Sequence, residues 1–461
     1  MPEIDSDATP AYPPPRGGLP RALRPFRLGQ YRLLAGALTL SLLGAGMWIV
    51  AVVWQVIELG GGPAELSFVA AGNAAGMLVA VLFGGVLADR VPQRNILLAV
   101  EATKTVSIAT AAVLALSGTL ELWHLVIVTT ILGLADGFFY PAYSALLPAI
   151  LPAEDLLAAN GVEGMLRPTI MQAAGPALAS AAIAAFSPGL AFAFVAAAQA
   201  LAVGGLLLIR STPVRREIGK PQHPLRALSS DLREGFVYMW RTPWLLGTLL
   251  YACLLVFVIM GPIEVLLPFA VRDQTGGGPG AFALVLAAFG VGGALGSLVV
   301  ASLTLPRRYL TIMNLLWGAG CIPLAVIGTT SQLWLMVVAL FLVGFTFSAA
   351  TVIWGTLLQR RVPPALLGRV SSLDFFVSLA LMPISMAVAG PVGEAIGLAP
   401  AFLAAGAIPF VLAVATILLF KLPEDEILHP LDPAGEPAVD IETDAVSSDS
   451  GDGIRRDAGS E

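Results

Sequence analysis

Histidine and cysteine are scarce in this chain, and where they fall excludes more than their numbers do. Of three histidines in 461 residues, His124 lies at the edge of an apolar run, His223 in a basic connecting stretch and His429 near the C-terminus. No imidazole is offered to an apolar interior, so any proton carried there must rest on carboxylates. The two cysteines, Cys253 and Cys321, sit inside separate apolar runs, which argues against a disulfide framework or a metal site. No metal-ligand cluster and no G-x-x-x-x-G-K-S/T phosphate loop occurs, so no cofactor, nucleotide-driven step, enzyme chemistry or nucleic-acid partner is expected. The first 28 residues, with Pro13, Pro14 and Pro15, lack the short apolar core and cleavage pattern of a signal peptide.

Apolar residues are what the chain has in excess, at 57% of the total. A bilayer core near 30 Å takes about 20 apolar residues per helix, and twelve runs of that order can be read: 33-57, 66-88, 96-117, 122-146, 158-184, 189-209, 244-270, 281-303, 310-328, 332-357, 366-394 and 398-420. The expectation is an all-α membrane protein of twelve transmembrane helices with the lipid bilayer as its surroundings. A soluble helical protein does not repeat such runs twelve times. The second six restate the first six at a shift of 211 positions, which takes Gly85 to Gly296, Leu87 to Leu298, Trp123 to Trp334, Gly133 to Gly344 and Pro152 to Pro363. Two pseudo-symmetric six-helix bundles with a site between them are the layout of a secondary transporter. The expected divisions are a disordered N-terminal segment (1-32), a first bundle (33-209), a linker (210-243), a second bundle (244-420) and an acidic disordered tail (421-461).

Arginine and lysine orient the chain, because they accumulate in short cytoplasmic loops. Arg16, Arg21, Arg24, Arg27 and Arg32 precede the first run, and Arg90 and Arg94 follow the second. The linker holds Arg210, Arg215, Arg216, Lys220, Arg226, Arg233 and Arg241; later loops on the same side hold Arg307, Arg308, Arg360, Arg361 and Arg369. The opposite loops carry only Arg272. Both termini are therefore expected in the cytoplasm, with the protein in the inner cell membrane. The net charge of -6 is set by the tail, where twelve acids follow Leu422 against Arg455 and Arg456. Its Asp, Ser, Pro and Gly content cannot build a core.

The stretch GGVLADRVPQRN, Gly84 to Asn95, resembles the G-x-L-a-D-R-x-G-R-R loop of the major facilitator superfamily. Gly85, Leu87, Asp89, Arg90 and Arg94 match, while Pro92 and Gln93 depart. GLADGFFYPAYSALLP (Gly133 to Pro148), PAEDLLAANG (Pro152 to Gly161), AAGPALASAA (Ala173 to Ala182) and LLGRVSSLD (Leu366 to Asp374) resemble the third drug:proton antiporter family, which includes macrolide efflux proteins and an enterobactin exporter. The likeness covers about Phe26 to Leu422. It implies a twelve-helix monomer moving small molecules and protons. The arginine that many other drug:proton antiporters carry in helix four would fall at Gly133, so a mechanism resting on that arginine does not carry over.

Charges inside apolar runs cost about 2.5–3.5 kcal/mol each on insertion scales, so each needs a partner, a wet cavity or a purpose. Glu101 and Lys104, three residues apart, can pair locally. Glu163 and Asp374 are mates under the repeat. The resemblance places Asp374 near Arg90 or Arg94, and Glu163 near Arg307, Arg308 or its neighbour Arg167. With Gly85 and Asp89 these form an expected cytoplasmic gate, static ion pairs and proton carriers being the other readings. Asp136 has Phe347 as its repeat mate, so the scaffold does not require an acid there. Beside Phe138, Phe139 and Tyr140 it is a candidate for proton coupling, with pairing to Arg94 or Arg167 and direct substrate contact as alternatives. Glu264 is the second proton-coupling candidate.

Aromatic residues on the helices that the resemblance puts around a central cavity are Trp48, Trp54, Tyr140, Tyr143, Phe257, Phe345 and Trp354. Their π faces suit hydrophobic or aromatic molecules, cations included, although packing explains such residues equally well. The expectation is a proton-coupled exporter of small amphipathic or aromatic molecules, drug-like compounds or a siderophore, working by alternating access. The competing expectation is an importer or facilitator of a metabolite or lipid on the same scaffold. A non-transporting receptor or scaffold is a more distant reading.

Overall fold

The computed structural model describes residues 21-88, 91-210, 234-303 and 305-431. A short 3-10 helix, Arg21–Arg27, leads into α1 (Gly29–Glu58), α2 (Pro63–Ala88), α3 (Gln93–Leu116) and α4 (Leu122–Ile150). The fifth helix, α5, has three pieces: Ala153–Leu166, a π-helical Arg167–Ala174 and Gly175–Ala185. The first half closes with α6 (Pro188–Leu207), which starts where the Ser187 hydroxyl accepts the Leu190 N–H at 3.2 Å.

In the second half, α7 comprises Pro243–Gly261, a π-helical Pro262–Leu266 and Leu267–Thr275. It is followed by α8 (Pro279–Ser302), α9 (Tyr309–Gly320 and, after a turn, Leu324–Ile327) and α10 (Leu333–Arg361). Then come α11 (Pro364–Leu379 and Met382–Ile396), α12 (Leu398–Leu419) and a short α13 (Leu422–Leu428). Eleven of the described helices are long and apolar enough to cross a membrane. The remaining expected span is α5, where Glu163, Arg167 and Gln172 interrupt a run of small residues. With it the chain has the twelve-helix architecture, six helices in each half. The protein is a multi-pass membrane protein.

Small residues set the helix spacing, as they must in a bilayer where burial gives no drive for helices to associate. The most extensive contacts are α2 on α4 and, equivalently, α8 on α10. In the first pair the position where a Gly133 Cβ would stand is taken by the Asn73 carbonyl, and in the second the same holds for Gly344 and the Phe289 carbonyl. The arginine of related antiporters has no room at Gly133. That helix seam is backbone against backbone.

These contacts also correct the repeat. From Leu122 to Leu333 and from Pro152 to Pro363 the shift is 211, but from Pro63 to Pro279 and from Gln93 to Tyr309 it is 216. Gly85 is therefore not the structural mate of Gly296, nor Leu87 of Leu298. The five-residue difference is absorbed by α9, which is shorter than α3 and turns at Cys321–Pro323. The mates Asp136/Phe347 and Glu163/Asp374 lie in the region where 211 holds.

Ordered structure extends past the expected divisions. The 3-10 helix packs on α5, with Phe26 edge-on to Tyr31 at 5.1 Å, and α13 docks against the start of α9. Within the expected linker, 234-241 is helical and Glu234 pairs with Arg369. Residues 211-233, like the tail from 432 onward, lie outside the described residues.

Candidate functional site

The halves meet at the far end of the bundle, opposite the first and last described residues, Arg21 and Leu431. Two hydrogen bonds join them there among the described residues: Ala64 N–H donates to Glu394 Oε1 at 3.0 Å, and Gly390 N–H donates to the buried Ser67 Oγ at 2.7 Å. The first caps an orphan N–H in the opening turn of α2 with a carboxylate from α11. Trp54 of α1 lies against Phe282 of α8 with ring centroids 5.7 Å apart. Thus Trp54, expected in the cavity, helps to close the far end.

Beneath this closure lies a cavity of about 250 Å³, near the small end of sites for small molecules, about 300–1,000 Å³. Trp48, Asn73, Lys104, Asp136, Gln199 and Glu264 line it, with Met171, Phe282 and Met386 among the apolar groups. Of the candidates read from the sequence, Trp48, Asp136 and Glu264 come together here. Trp48 stacks on Phe192 of α6 at 4.7 Å, so one face packs while its edge reaches the cavity. Glu264 stands exposed on the π-helical turn of α7, where an irregular backbone lines the cavity.

Asp136 does not pair with Arg94 or Arg167. Its carboxylate contacts the Lys104 ammonium, which reaches across from α3 and is itself only 7% exposed, against 45% for the Asp136 side chain. Lys104 lies 3.7 Å from Glu101 Oε1 and 5.1 Å from the Phe139 ring centroid. Glu101, 1% exposed, accepts the Ser41 hydroxyl at 2.7 Å. The local Glu101–Lys104 pairing expected from spacing is thus the longer arm of a three-member cluster. Gln199 of α6, whose amide donates to the Ser41 carbonyl at 3.4 Å, completes its surroundings.

The gate candidates stay within their own halves. Arg167 pairs with Glu163 at 3.2 Å and lies over the Tyr140 ring at 5.6 Å. Tyr140, exposed, and Tyr143, buried, flank this pair in a second cavity between α4 and α5. Arg94 donates to the carbonyls of Leu206 and Leu207 at the end of α6. Asp374 accepts Trp354 Nε1–H at 3.0 Å and the Ser378 hydroxyl at 3.3 Å, rather than Arg94. Trp354 is correspondingly buried among Trp244 and Trp317 and does not face the cavity. Arg307 and Arg308 are exposed at the loop before α9. Gly85 lies in α2; Asp89 and Arg90 are outside the described residues.

Phe257 and Phe345 are half-buried and absent from the cavity lining: Phe257 offers its carbonyl to Ser385, and Phe345 stacks on Phe341 at 6.5 Å. Gln199 and Asn73 are not legible in the sequence, since a single amide in an apolar helix carries no periodic signal. The spacing of Lys104 shows it only as a local partner of Glu101.

The comparisons with known proteins agree with this architecture. The profile of the transmembrane secretion effectors matches residues 21–451. The chain belongs to that family. The chain is 28% identical to the multidrug efflux pump Tap of Mycolicibacterium fortuitum, over 85% of its own length and 96% of the relative's. It is 25% identical to macrolide efflux protein A of Streptococcus pyogenes, over 84% and 95%. It is also 27% identical to YfiS, an uncharacterized MFS-type transporter of Bacillus subtilis, over 86% and 94%. Among solved structures, the nucleoside transporter NupG superposes with a TM-score of 0.69 at 14% identity, covering 86% of this chain and all of that one. A peptide transporter does so at 0.68 and 14%, covering 89% and all. At that identity these share the fold.

Proposed function

We propose that this membrane protein exports small amphipathic or aromatic molecules, cations among them, in exchange for protons. One observation carries the reading: the Lys104–Asp136 pair and the Glu264 carboxylate, which has no ion-pair partner among the described residues, stand on opposite halves of one closed-topped cavity. An ion pair at such depth repays its desolvation only with good geometry and further hydrogen bonds, and ionisable residues within a membrane mark substrate and proton pathways. The efflux pumps among the relatives support the direction of transport.

Charge asymmetry supports a cytoplasmic terminal end and an extracellular far end. The structure then corresponds to the state closed to the outside, the one in which a substrate loads from the cytoplasm. In this cycle, a proton taken up from outside through Asp136 favours closure of the far end. A cationic substrate entering from the cytoplasm takes over the neutralising charge, the proton leaves, and the loaded cavity opens outward. Each proton moving inward supplies about 2.3 kcal/mol per 100 mV, enough to concentrate a substrate several-fold. Glu163, Arg167, Asp374, Arg94, Arg307 and Arg308, with Asp89 and Arg90, are proposed to close the cytoplasmic side in the alternate state. Glu163, Arg167, Asp374 and Arg94, among the described residues, contact only groups of their own half here, which is what that role requires.

The test is proton flux in proteoliposomes with an imposed pH gradient, challenged with lipophilic cations, a macrolide and a catecholate siderophore. Exporter behaviour predicts substrate-dependent collapse of the gradient by the wild type and none by Asp136→Asn. Substrate movement indifferent to the gradient in both proteins would make the protein a facilitator and leave Asp136 a structural role.

A further inference from the structure

Counting charge around Lys104 leads beyond a single proton-carrying aspartate. Three titratable groups share one site: Glu101 and Lys104 on α3 and Asp136 on α4. Among the described residues the other helices against them contribute no charge there, α1 presenting Ser41 and α6 presenting Gln199. Glu264, on α7, is the acid across the cavity. With both carboxylates ionised, two negative charges face one ammonium. The excess would have to sit at Glu101, which is 1% exposed and whose Oε2 is buried without a hydrogen-bond partner among the described residues. A bare carboxylate there is the arrangement that buried sites avoid, and like charges sharing a site resolve it by holding a proton between them.

We propose that Glu101, Lys104 and Asp136 form one proton-holding unit, in which Glu101 stores the proton while Lys104 is closed on Asp136. The exchange conserves charge. As Asp136 takes up the proton that Glu101 gives up, the Lys104 ammonium moves from Asp136 to the Glu101 carboxylate, to which it is already 3.7 Å away. Both arrangements are neutral. Asp136, 45% exposed, is the member that meets the cavity, so the proton enters and leaves through it. Lys104 is a positioning residue that reports the proton's location through the α3–α4 contact.

This rests on the exporter reading for its use but not for its detection, because the unit predicts a proton count. In the full-length protein in lipid nanodiscs near neutral pH, infrared spectra report the C=O stretch of protonated carboxyls. The wild type should show one such buried group. Glu101→Gln and Asp136→Asn should each show none, since one carboxylate then balances one lysine, and Lys104→Met should show two. A wild type with no protonated carboxyl overturns the proposal. So does a band that Glu264→Gln removes and Glu101→Gln leaves. The predicted counts combined with no substrate-driven proton release in liposomes would uphold the shared proton and refute the exporter reading instead.

Discussion

Glu426 shows how one side chain can hold an end of the bundle. Almost fully buried, it accepts the N–H groups of Leu310 and Thr311 at 2.9 and 3.1 Å and the Thr311 hydroxyl at 2.8 Å, capping α9 from a helix more than a hundred residues away. Its neighbour Asp425 pairs with Arg361 at 2.5 Å, and Arg361 lies over Trp244 at 4.5 Å. α13 thereby ties α7, α9 and α10 together. Hydrogen bonds to a charged group contribute about 1.5–3 kcal/mol each, so Glu426→Ala is expected to destabilise the second half by about 2–4 kcal/mol. Thermal unfolding in detergent should show a clear drop in Tm. An unchanged Tm would mean that water satisfies the start of α9. The role was invisible in the sequence, where Glu426 stands among twelve acids after Leu422 and its partner is defined only by the fold.

At the scale of helices, close approach is concentrated at particular glycines. A Cβ at Gly133 or Gly344 would meet a backbone carbonyl, whereas at Gly36 and Gly204 it would meet nothing within 4 Å. Gly133→Ala and Gly344→Ala must therefore push α2 from α4 or α8 from α10, an overpacking that costs about 1–3 kcal/mol or more. Gly36→Ala and Gly204→Ala should instead gain about 0.5–1 kcal/mol from reduced backbone freedom. Yields and Tm values of the four variants should fall into those two groups; equal behaviour would show that the seams are looser than drawn. Much of this level was legible in advance, because runs of about 20 apolar residues leave a chain few choices in a bilayer. The breaks were not. The α-helical pattern gives way to π-helical segments at Pro168 and Pro262 and to a turn at Pro323 but continues through Pro141, Pro148, Pro391 and Pro409, so proline alone does not locate a break. The site divides the same way. Asp136 stood out because its mate is Phe347, while its partner Lys104 depends on the relative rotation of α3 and α4, which hydropathy does not encode.

For the whole molecule, the proton that the Glu101–Lys104–Asp136 unit takes up and releases through Asp136 is proposed to govern whether the far end is open. The far-end contacts of Ala64 with Glu394 and Gly390 with Ser67 must part in an outward-open state, because they bridge the halves. Two-state control of that kind needs a few kcal/mol of differential stabilisation, which a charge gained or lost in a low-dielectric cavity can supply. The most direct measurement is the distance between spin labels at the exposed far-end positions Glu58 and Ile396, in nanodiscs across pH with and without a lipophilic cation. The account predicts a short distance at acidic pH, a longer one at alkaline pH with the cation present, and a short distance at every pH in Asp136→Asn. One distance shared by all conditions and both proteins would contradict it.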